Sequence, residues 1–112
     1  MEIEVNEFVR TDNGIIGKYV KYRGIEDSIE TNNKWIGFDI EKDIVKHSKN
    51  IIDLIEIGDI LRVFDNLSET EEKVNIFDDE MLKAVKEDIK DNNYEILSIL
   101  THEQFSSLEY II

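Results

Sequence analysis

Residues that usually carry out catalysis or hold metal ions are scarce in this sequence. It contains two histidines, His47 and His102, and no cysteine. Neither histidine has another four positions further on, the spacing that lets two imidazoles on a helix share a zinc ion. The sequence also has no G-x-S-x-G nucleophile motif and no glycine-rich phosphate loop. It therefore predicts no catalytic residue, no metal ligand and no cofactor, and favours a protein that is not an enzyme.

Two charged patterns come nearest to a cation site. Asp39, Glu41 and Asp43 alternate, so an extended chain would place three carboxylates on one face, where a hard cation could bind. A solvated strand edge accounts for the same pattern, because edge strands are commonly protected by charge. Glu71 and Lys73 have the Glu-x-Lys spacing of some metal-dependent nucleases, but the further acid that such a site needs cannot be identified. We interpret both patterns as solvated charge.

One short segment combines basic and aromatic residues, namely Lys18, Tyr19, Lys21, Tyr22 and Arg23. Cations and stacking rings of this kind can contact single-stranded nucleic acid. The whole chain, however, has 26 acidic and 13 basic residues and a net charge of −13, which repels phosphates. A solvated strand face is therefore the better interpretation, and we predict no direct contact with nucleic acid or membrane.

Negative charge is concentrated in the second half of the chain. Residues 1–50 carry 10 acidic and 8 basic residues, a net charge of −2, whereas residues 51–112 carry 16 and 5, a net charge of −11. The densest acidic run contains a single lysine and seven acids, which are Asp65, Glu69, Glu71, Glu72, Asp78, Asp79 and Glu80. Such a surface could imitate the phosphates of nucleic acid and bind a basic cleft. A solvated loop followed by a helix N-terminus explains the same run, since the helix dipole favours acids there.

The elements that position these residues begin with strands. Glu2–Arg10 is predicted as a strand, and Asn13-Gly14 within the turn 11–14 favours a tight hairpin. The return strand is predicted over Ile15–Tyr22, followed by a polar loop over Gly24–Lys34 and a short strand over Trp35–Ile40. These segments predict an antiparallel start to the fold.

The middle of the chain is harder to interpret. Ile44–Ile57 mixes helical spacing with β-branched residues, and we favour an irregular or 3₁₀ segment there. It should lead into a strand over Ile60–Phe64. The acidic segment Asp65–Lys73 is predicted as a loop, and Val74–Phe77 as the next strand.

The clearest helix is predicted over residues 78–91. Asp78 or Asp79 can cap it, and Leu82, Val85 and Ile89 form one apolar stripe. A strand should follow over Tyr94–Leu100.

The C-terminal segment is predicted to hold a short helix. Thr101 and Gln104 fit a capping box, so the helix should span about residues 102–108. The apolar tail Tyr110–Ile112 is expected to pack on the sheet, because free chain ends fray unless they are docked.

Apolar periodicity also predicts the core. Trp35 is assigned to it because tryptophan brings a large apolar surface. The other predicted core residues are Val20, Ile36, Phe38, Ile52, Leu54, Leu61, Val63, Ile76, Leu82, Val85, Ile89, Ile96, Leu100 and Phe105. Together the elements predict a single α+β domain over residues 1–112, with a small, strongly bent antiparallel sheet or partly open barrel, one main helix and a short C-terminal helix.

Two segments resemble a known group of proteins. Val45–Asp59 reads VKHSKNIIDLIEIGD and Ile99–Tyr110 reads ILTHEQFSSLEY. Together they resemble small, uncharacterised proteins encoded by phages and prophages of Firmicutes. The resemblance carries no catalytic residue over to this chain and implies a bacterial cytoplasm as its setting, in keeping with the absence of cysteine and of a signal peptide pattern in residues 1–20.

These observations lead to three functional hypotheses. The first is an inhibitor of a host defence protein, anti-CRISPR-like or of another anti-defence type, which binds a basic surface such as that of a nucleic-acid-binding enzyme. The second is a phage interaction or regulatory domain without an inhibitory role. The third, less favoured, is a small metal-dependent enzyme. The sequence leaves the identity of the partner and the oligomeric state open.

Overall fold

The computed structural model describes residues 2–103 and 109–112. The chain divides into two compact units, Met1–Leu54 and Ile55–Ile112, which we call the N-terminal and C-terminal units. The single domain over residues 1–112 stays a prediction. Among the described residues, none of the helices has the length and apolar character needed to span a bilayer.

The N-terminal unit is built on a five-stranded antiparallel sheet. Its strands are β1 (Phe8–Thr11), β2 (Ile16–Tyr22), β3 (Glu26–Thr31), β4 (Lys34–Gly37) and β5 (Ile44–Ser48). They lie in the order β4-β3-β2-β1-β5, and every neighbouring pair is antiparallel. A short helix, α1 (Ile40–Asp43), precedes β5, and a 3₁₀ turn (Ile51–Leu54) follows it.

The predicted hairpin is confirmed, since β1 and β2 pair around the turn that contains Gly14. Gly14 has a φ of +84°, which only glycine adopts at little cost. One face of the sheet is buried around Val9, Tyr19, Ile29 and Ile44. This cluster is the core of the N-terminal unit.

Three expectations for this unit are corrected. β1 begins at Phe8 rather than Glu2, because Asn6 has a φ of +75° and interrupts the extended chain. The predicted loop 24–34 contains β3, in which the polar Ser28 and Thr31 are buried as well as Ile29, so the strand lacks a visible apolar alternation. Trp35 is 56% exposed on the edge strand β4 and is not a core residue.

The region 44–57 is partly as predicted. The 3₁₀ turn is present, and its Ile52 and Leu54 are buried. The sequence interpretation missed β5, which pairs with β1 at the other edge of the sheet.

The C-terminal unit contains a second antiparallel sheet. Its strands are β6 (Ile60–Asp65), β7 (Thr70–Asn75), β8 (Tyr94–Leu100) and β9 (Tyr110–Ile111), in the order β7-β6-β8-β9. The main helix, α2 (Asp79–Lys90), contacts β8 and buries Val85. The docking of the C-terminal tail is confirmed, since Tyr110 pairs with Ile99.

The acidic segment is the main correction in this unit. Residues 70–73 belong to β7 rather than to a loop, and β7 ends at Asn75, leaving Phe77 74% exposed. His102 and Glu103 lie in a turn, whereas positions 104–108 of the predicted C-terminal helix, with Phe105, lie outside the described residues. Apart from Trp35 and Phe105, the predicted core residues, thirteen in number, are all buried or half-buried.

The fold class is therefore α+β and rich in strands. The described residues form two antiparallel sheets with nine strands, rather than one bent sheet, and neither forms a closed barrel. The predicted main helix over 78–91 is confirmed, with Asp78 and Asp91 as its caps.

Candidate functional site

The seven acids of the acidic run lie on four local structures. Asp65 ends β6, Glu69 lies in the β6–β7 turn, and Glu71 and Glu72 lie on β7. The remaining three are at the start of α2, separated from β7 by Ile76 and Phe77. β7 is an edge strand of its sheet. The acidic run is thus a hairpin followed by a helix N-terminus, and not one continuous loop.

Two of these acids have roles within the fold. Asp65 Oδ1 accepts hydrogen bonds from the backbone N–H groups of Leu67, at 2.9 Å, and Ser68, at 3.3 Å. The bond from Leu67 is the main cause of the lowered pKa of Asp65. Asp78 Oδ1 accepts from Met81 N at 2.8 Å and so caps α2. The other five acids, Glu69, Glu71, Glu72, Asp79 and Glu80, are exposed.

Strand alternation places Glu71 and Glu72 on opposite faces of the sheet. Glu72 is paired with the buried Val63, and Glu71 is paired with Phe64. Glu71 therefore shares a face with Lys73, which is paired with Arg62. A shallow groove of about 240 Å³ beside β7 is lined by Arg62, Glu71, Glu72 and Lys73, so its charge is mixed.

The other side of the hairpin is apolar along its length and carries acids near the turn. Asp65 is paired with Tyr94 of β8, and burial raises the pKa of the Tyr94 phenol. The negative charges of Glu72, Asp88 and Asp65 raise that pKa further, because they disfavour the phenolate. The charges of three carboxylates from β6, β7 and α2 thus act on one tyrosine, and we call Asp65, Glu72, Asp88 and Tyr94 the acidic corner. Asp88 was not among the predicted site residues.

A second cluster of titratable groups lies at the opposite end of β6. His102 Nε2 is 3.3 Å from Glu56 Oε1 and 3.3 Å from Glu103 Oε1. One ligand atom from each of the three residues lies within 4.8 Å of the others. The pairing of Ile60 with Leu100 brings the segment before β6 beside the segment after β8. We call Glu56, His102 and Glu103 the histidine–glutamate cluster.

A buried carboxylate holds the two segments of this cluster together. Asp59 has no exposed surface, and its Oδ2 accepts from Glu56 N at 2.8 Å while its Oδ1 accepts from His102 N at 3.1 Å. Gly58 has a φ of +97°, and a Cβ there would lie 3.0 Å from the Cβ of His102. Sequence reasoning missed the cluster because Glu56 and His102 are 46 positions apart and only strand pairing brings them together.

The predicted alternation of Asp39, Glu41 and Asp43 does not form a face of three carboxylates. These residues lie at and within α1, where Asp39 Oδ1 accepts from Glu41 N at 2.9 Å. Asp43 Oδ2 accepts from Asp39 N at 2.8 Å. Two of the three carboxylates thus accept hydrogen bonds from the backbone of this short segment. Because the segment is helical, its side chains do not alternate between two faces as they would on a strand.

Strand alternation also divides the basic-aromatic segment. Tyr19 is buried, and both its hydroxyl and Lys21 Nζ lie 2.5 Å from Asp27 Oδ1. Tyr22 lies on the opposite face, where its ring centroid is 6.1 Å from that of Trp35. The exposed aromatic surface is therefore Tyr22 with Trp35, and not the five-residue segment seen in the sequence.

In comparisons with known proteins, no protein-family model, curated protein or solved structure matches the chain.

Proposed function

We propose that this protein is a small acidic binding protein that contacts a basic surface on another protein through the β6–β7 hairpin and the start of α2. The observation that carries the proposal is the acidic corner. Like charges gathered from neighbouring elements repel one another and lower stability. Asp65 and Asp88 also accept hydrogen bonds within the fold, but their negative charges, with that of Glu72, have no cation among the groups that act on Tyr94. Carboxylates gathered from three elements are suited to a partner that supplies the missing positive charge.

The charge balance supports a protein rather than a nucleic acid or lipid as the partner. Residues 51–112 have a net charge of −11, and this field repels phosphate groups. It attracts a basic groove and speeds encounter with it.

The more specific role that we propose is inhibition of a host defence protein in the bacterial cytoplasm. The resemblance of Val45–Asp59 and Ile99–Tyr110 to phage-encoded proteins supports this setting. A nucleic-acid-binding defence enzyme has a basic channel, and an acidic protein that occupies the channel excludes the substrate. The protein acts in this role by contact and carries out no chemistry.

A second candidate is an interaction domain without an inhibitory role, which contacts its partner through aromatic side chains. Trp35 is 56% exposed and Tyr22 is 38% exposed, and their rings lie close together on the same face of the N-terminal sheet. Aromatic side chains are enriched among the residues that dominate binding energy at interfaces.

Affinity capture from a host lysate, with matched variants, tests the first proposal and separates it from the second. We expect the double variant Glu72→Lys and Asp88→Lys to lose the captured partner. The control, Glu2→Lys with Asp12→Lys, makes the same change in net charge on exposed residues of the N-terminal unit that are not paired with Tyr22 or Trp35, and it should retain the partner.

The variants that no longer capture the partner identify the surface that binds it. Equal capture by both charge variants, together with loss on Trp35→Ala, would contradict the acidic surface and support the aromatic one. If the partner is a nuclease, addition of the wild-type protein should lower its activity, and unchanged activity of the bound nuclease would contradict inhibition.

A further inference from the structure

We propose that the histidine–glutamate cluster binds a zinc ion, with Glu56, His102 and Glu103 as the three protein ligands and water at the fourth position. This site is distinct from the acidic corner and does not depend on the proposed binding function. It lies entirely within the C-terminal unit.

The spacing of the ligand atoms matches a tetrahedral zinc site. Zinc bonds to imidazole nitrogen and carboxylate oxygen are about 2.1 Å long, so neighbouring ligand atoms of a tetrahedron lie about 3.4 Å apart. The two measured separations, from His102 Nε2 to Glu56 Oε1 and to Glu103 Oε1, are both 3.3 Å. The ligand atoms of the two glutamates lie within 4.8 Å of each other, so all three groups can approach one ion.

An ion pair accounts less well for the same arrangement. Hydrogen bonds between a charged nitrogen and a carboxylate are typically about 2.7–2.9 Å long, shorter than both separations here. A single Nε2–H must also serve two carboxylates, and the two glutamates repel each other. A divalent cation between the three groups removes that repulsion and uses the lone pair of Nε2.

The backbone around the cluster is held in place independently of the three ligand side chains. The buried Asp59 accepts a hydrogen bond from the backbone N–H of Glu56 and another from that of His102. The close contact of Gly58 with His102 leaves no room for a side chain there. Fixed ligand backbones lower the entropy that is lost when an ion binds.

The ligand set selects the class of metal. Calcium takes six to eight oxygen ligands, and magnesium favours carboxylates and water in an octahedron, whereas one imidazole with two carboxylates suits zinc. Three protein ligands leave a coordination position open, which is typical of exchangeable and catalytic zinc sites rather than of closed structural ones. The side chain of His102 is 42% exposed, so an ion can reach the site from solvent.

Calorimetric titration of the full-length, metal-free protein with zinc chloride tests the proposal. We expect one ion per chain, with binding weakened at least about tenfold by His102→Gln and by Glu56→Gln, because each removes a ligand. His47→Gln, which alters the other histidine, should bind zinc as the wild type does. Far-UV circular dichroism of each variant shows whether it is folded.

A second probe reports on the ligands directly. Cobalt chloride should give the visible absorption of a tetrahedral ion in the wild type and in His47→Gln, and this absorption should be lost in His102→Gln. Absence of zinc uptake, uptake that is unchanged in His102→Gln, or preference for calcium over zinc would each overturn the proposal and leave the cluster as an ion pair.

Discussion

At the residue scale, Glu7 and His47 show how a buried charge links stability to pH. Glu7 is 8% exposed, its Oε1 lies 3.0 Å from His47 Nδ1, and its Oε2 accepts from Glu4 N at 2.6 Å. The hydrogen bond with His47 is the largest cause of the lowered pKa of Glu7, followed by the bond from Glu4, and Lys49 adds a favourable charge. The folded state therefore favours the ionised carboxylate more than the unfolded state does.

The expected pH dependence follows from that direction. A carboxylate with a lowered pKa in the folded state contributes stability above its unfolded value, here near 4.5, and this contribution is lost as the pH falls below that value. We expect Glu7→Gln to lower the free energy of unfolding at pH 7. The difference in this free energy from the wild type should shrink as the pH falls below 4.5. Denaturant titrations of both proteins at pH values from 7 to below 4.5 measure this difference.

The exposed Glu26→Gln is the control for this measurement, because it makes the same chemical change outside the buried pair. A Glu7→Gln difference that stays constant down to low pH would contradict the role of the carboxylate charge.

Single functional residues were only partly predictable. The seven acids could be located as an acidic run, because charge density is visible in the sequence. Their division between two faces, and the addition of Asp88, follow from strand pairing and helix packing. Trp35 was assigned wrongly to the core, since its size says nothing about the edge position of β4.

At the element scale, α2 depends on its cap. Asp78 has extended backbone angles, and its side chain accepts from Met81 N at 2.8 Å. We expect Asp78→Ala to lower the free energy of unfolding by about 1 kcal/mol, because a backbone donor loses its partner. The neighbouring Asp79→Ala removes the same charge from the first turn but leaves the cap, so it should cost less. Equal losses in chemical denaturation would indicate that dipole electrostatics, and not capping, stabilises this end.

Strand β6, one of the two inner strands of the C-terminal sheet, depends on its buried side chains. Leu61 on β6 has no exposed surface and is paired with Val74 and Ile99. Leu61→Ala should lower the free energy of unfolding by about 2–5 kcal/mol, since it removes buried methyl groups and leaves a cavity.

Leu67→Ala makes the same substitution at a residue that is 80% exposed, and it should change the free energy of unfolding by less than about 0.5 kcal/mol. Denaturant unfolding measures both variants. A change of that small size for Leu61→Ala would contradict its burial.

Elements with strong local signals were predictable, and those defined by pairing were not. The helix 78–91 has a capping aspartate and an apolar stripe, and its observed bounds differ by one residue at each end. β3 buries Ser28 and Thr31, and β7 carries three charged residues in succession, so neither shows the apolar alternation of a half-buried strand. They form strands because β3 pairs with β2 and β7 pairs with β6.

At the scale of the whole molecule, charge and structure divide at nearly the same point. The boundary between the two units lies at Leu54–Ile55, and residues 51–112 carry a net charge of −11. The antiparallel, α+β character was predictable from short strands, tight turns and one helix. The presence of two sheets was not, because the order of strands in a sheet depends on contacts between distant segments.

If the acids of the C-terminal unit drive binding to a basic partner, as proposed, their loss should slow association with the captured partner, and association kinetics measure this effect. The variant is Glu69→Lys, Glu71→Lys and Glu72→Lys, and its matched control is Glu2→Lys, Glu26→Lys and Glu30→Lys, all at exposed positions. Exposed charges contribute little to stability, so both variants should fold.

Long-range attraction acts over about 8–10 Å at physiological salt and weakens as salt is added. We therefore predict that the hairpin variant associates more slowly than the control at low salt, and that its association rate depends less on salt concentration. Association rates of the two variants that are equal at low salt, with equal salt dependence, would contradict the proposal.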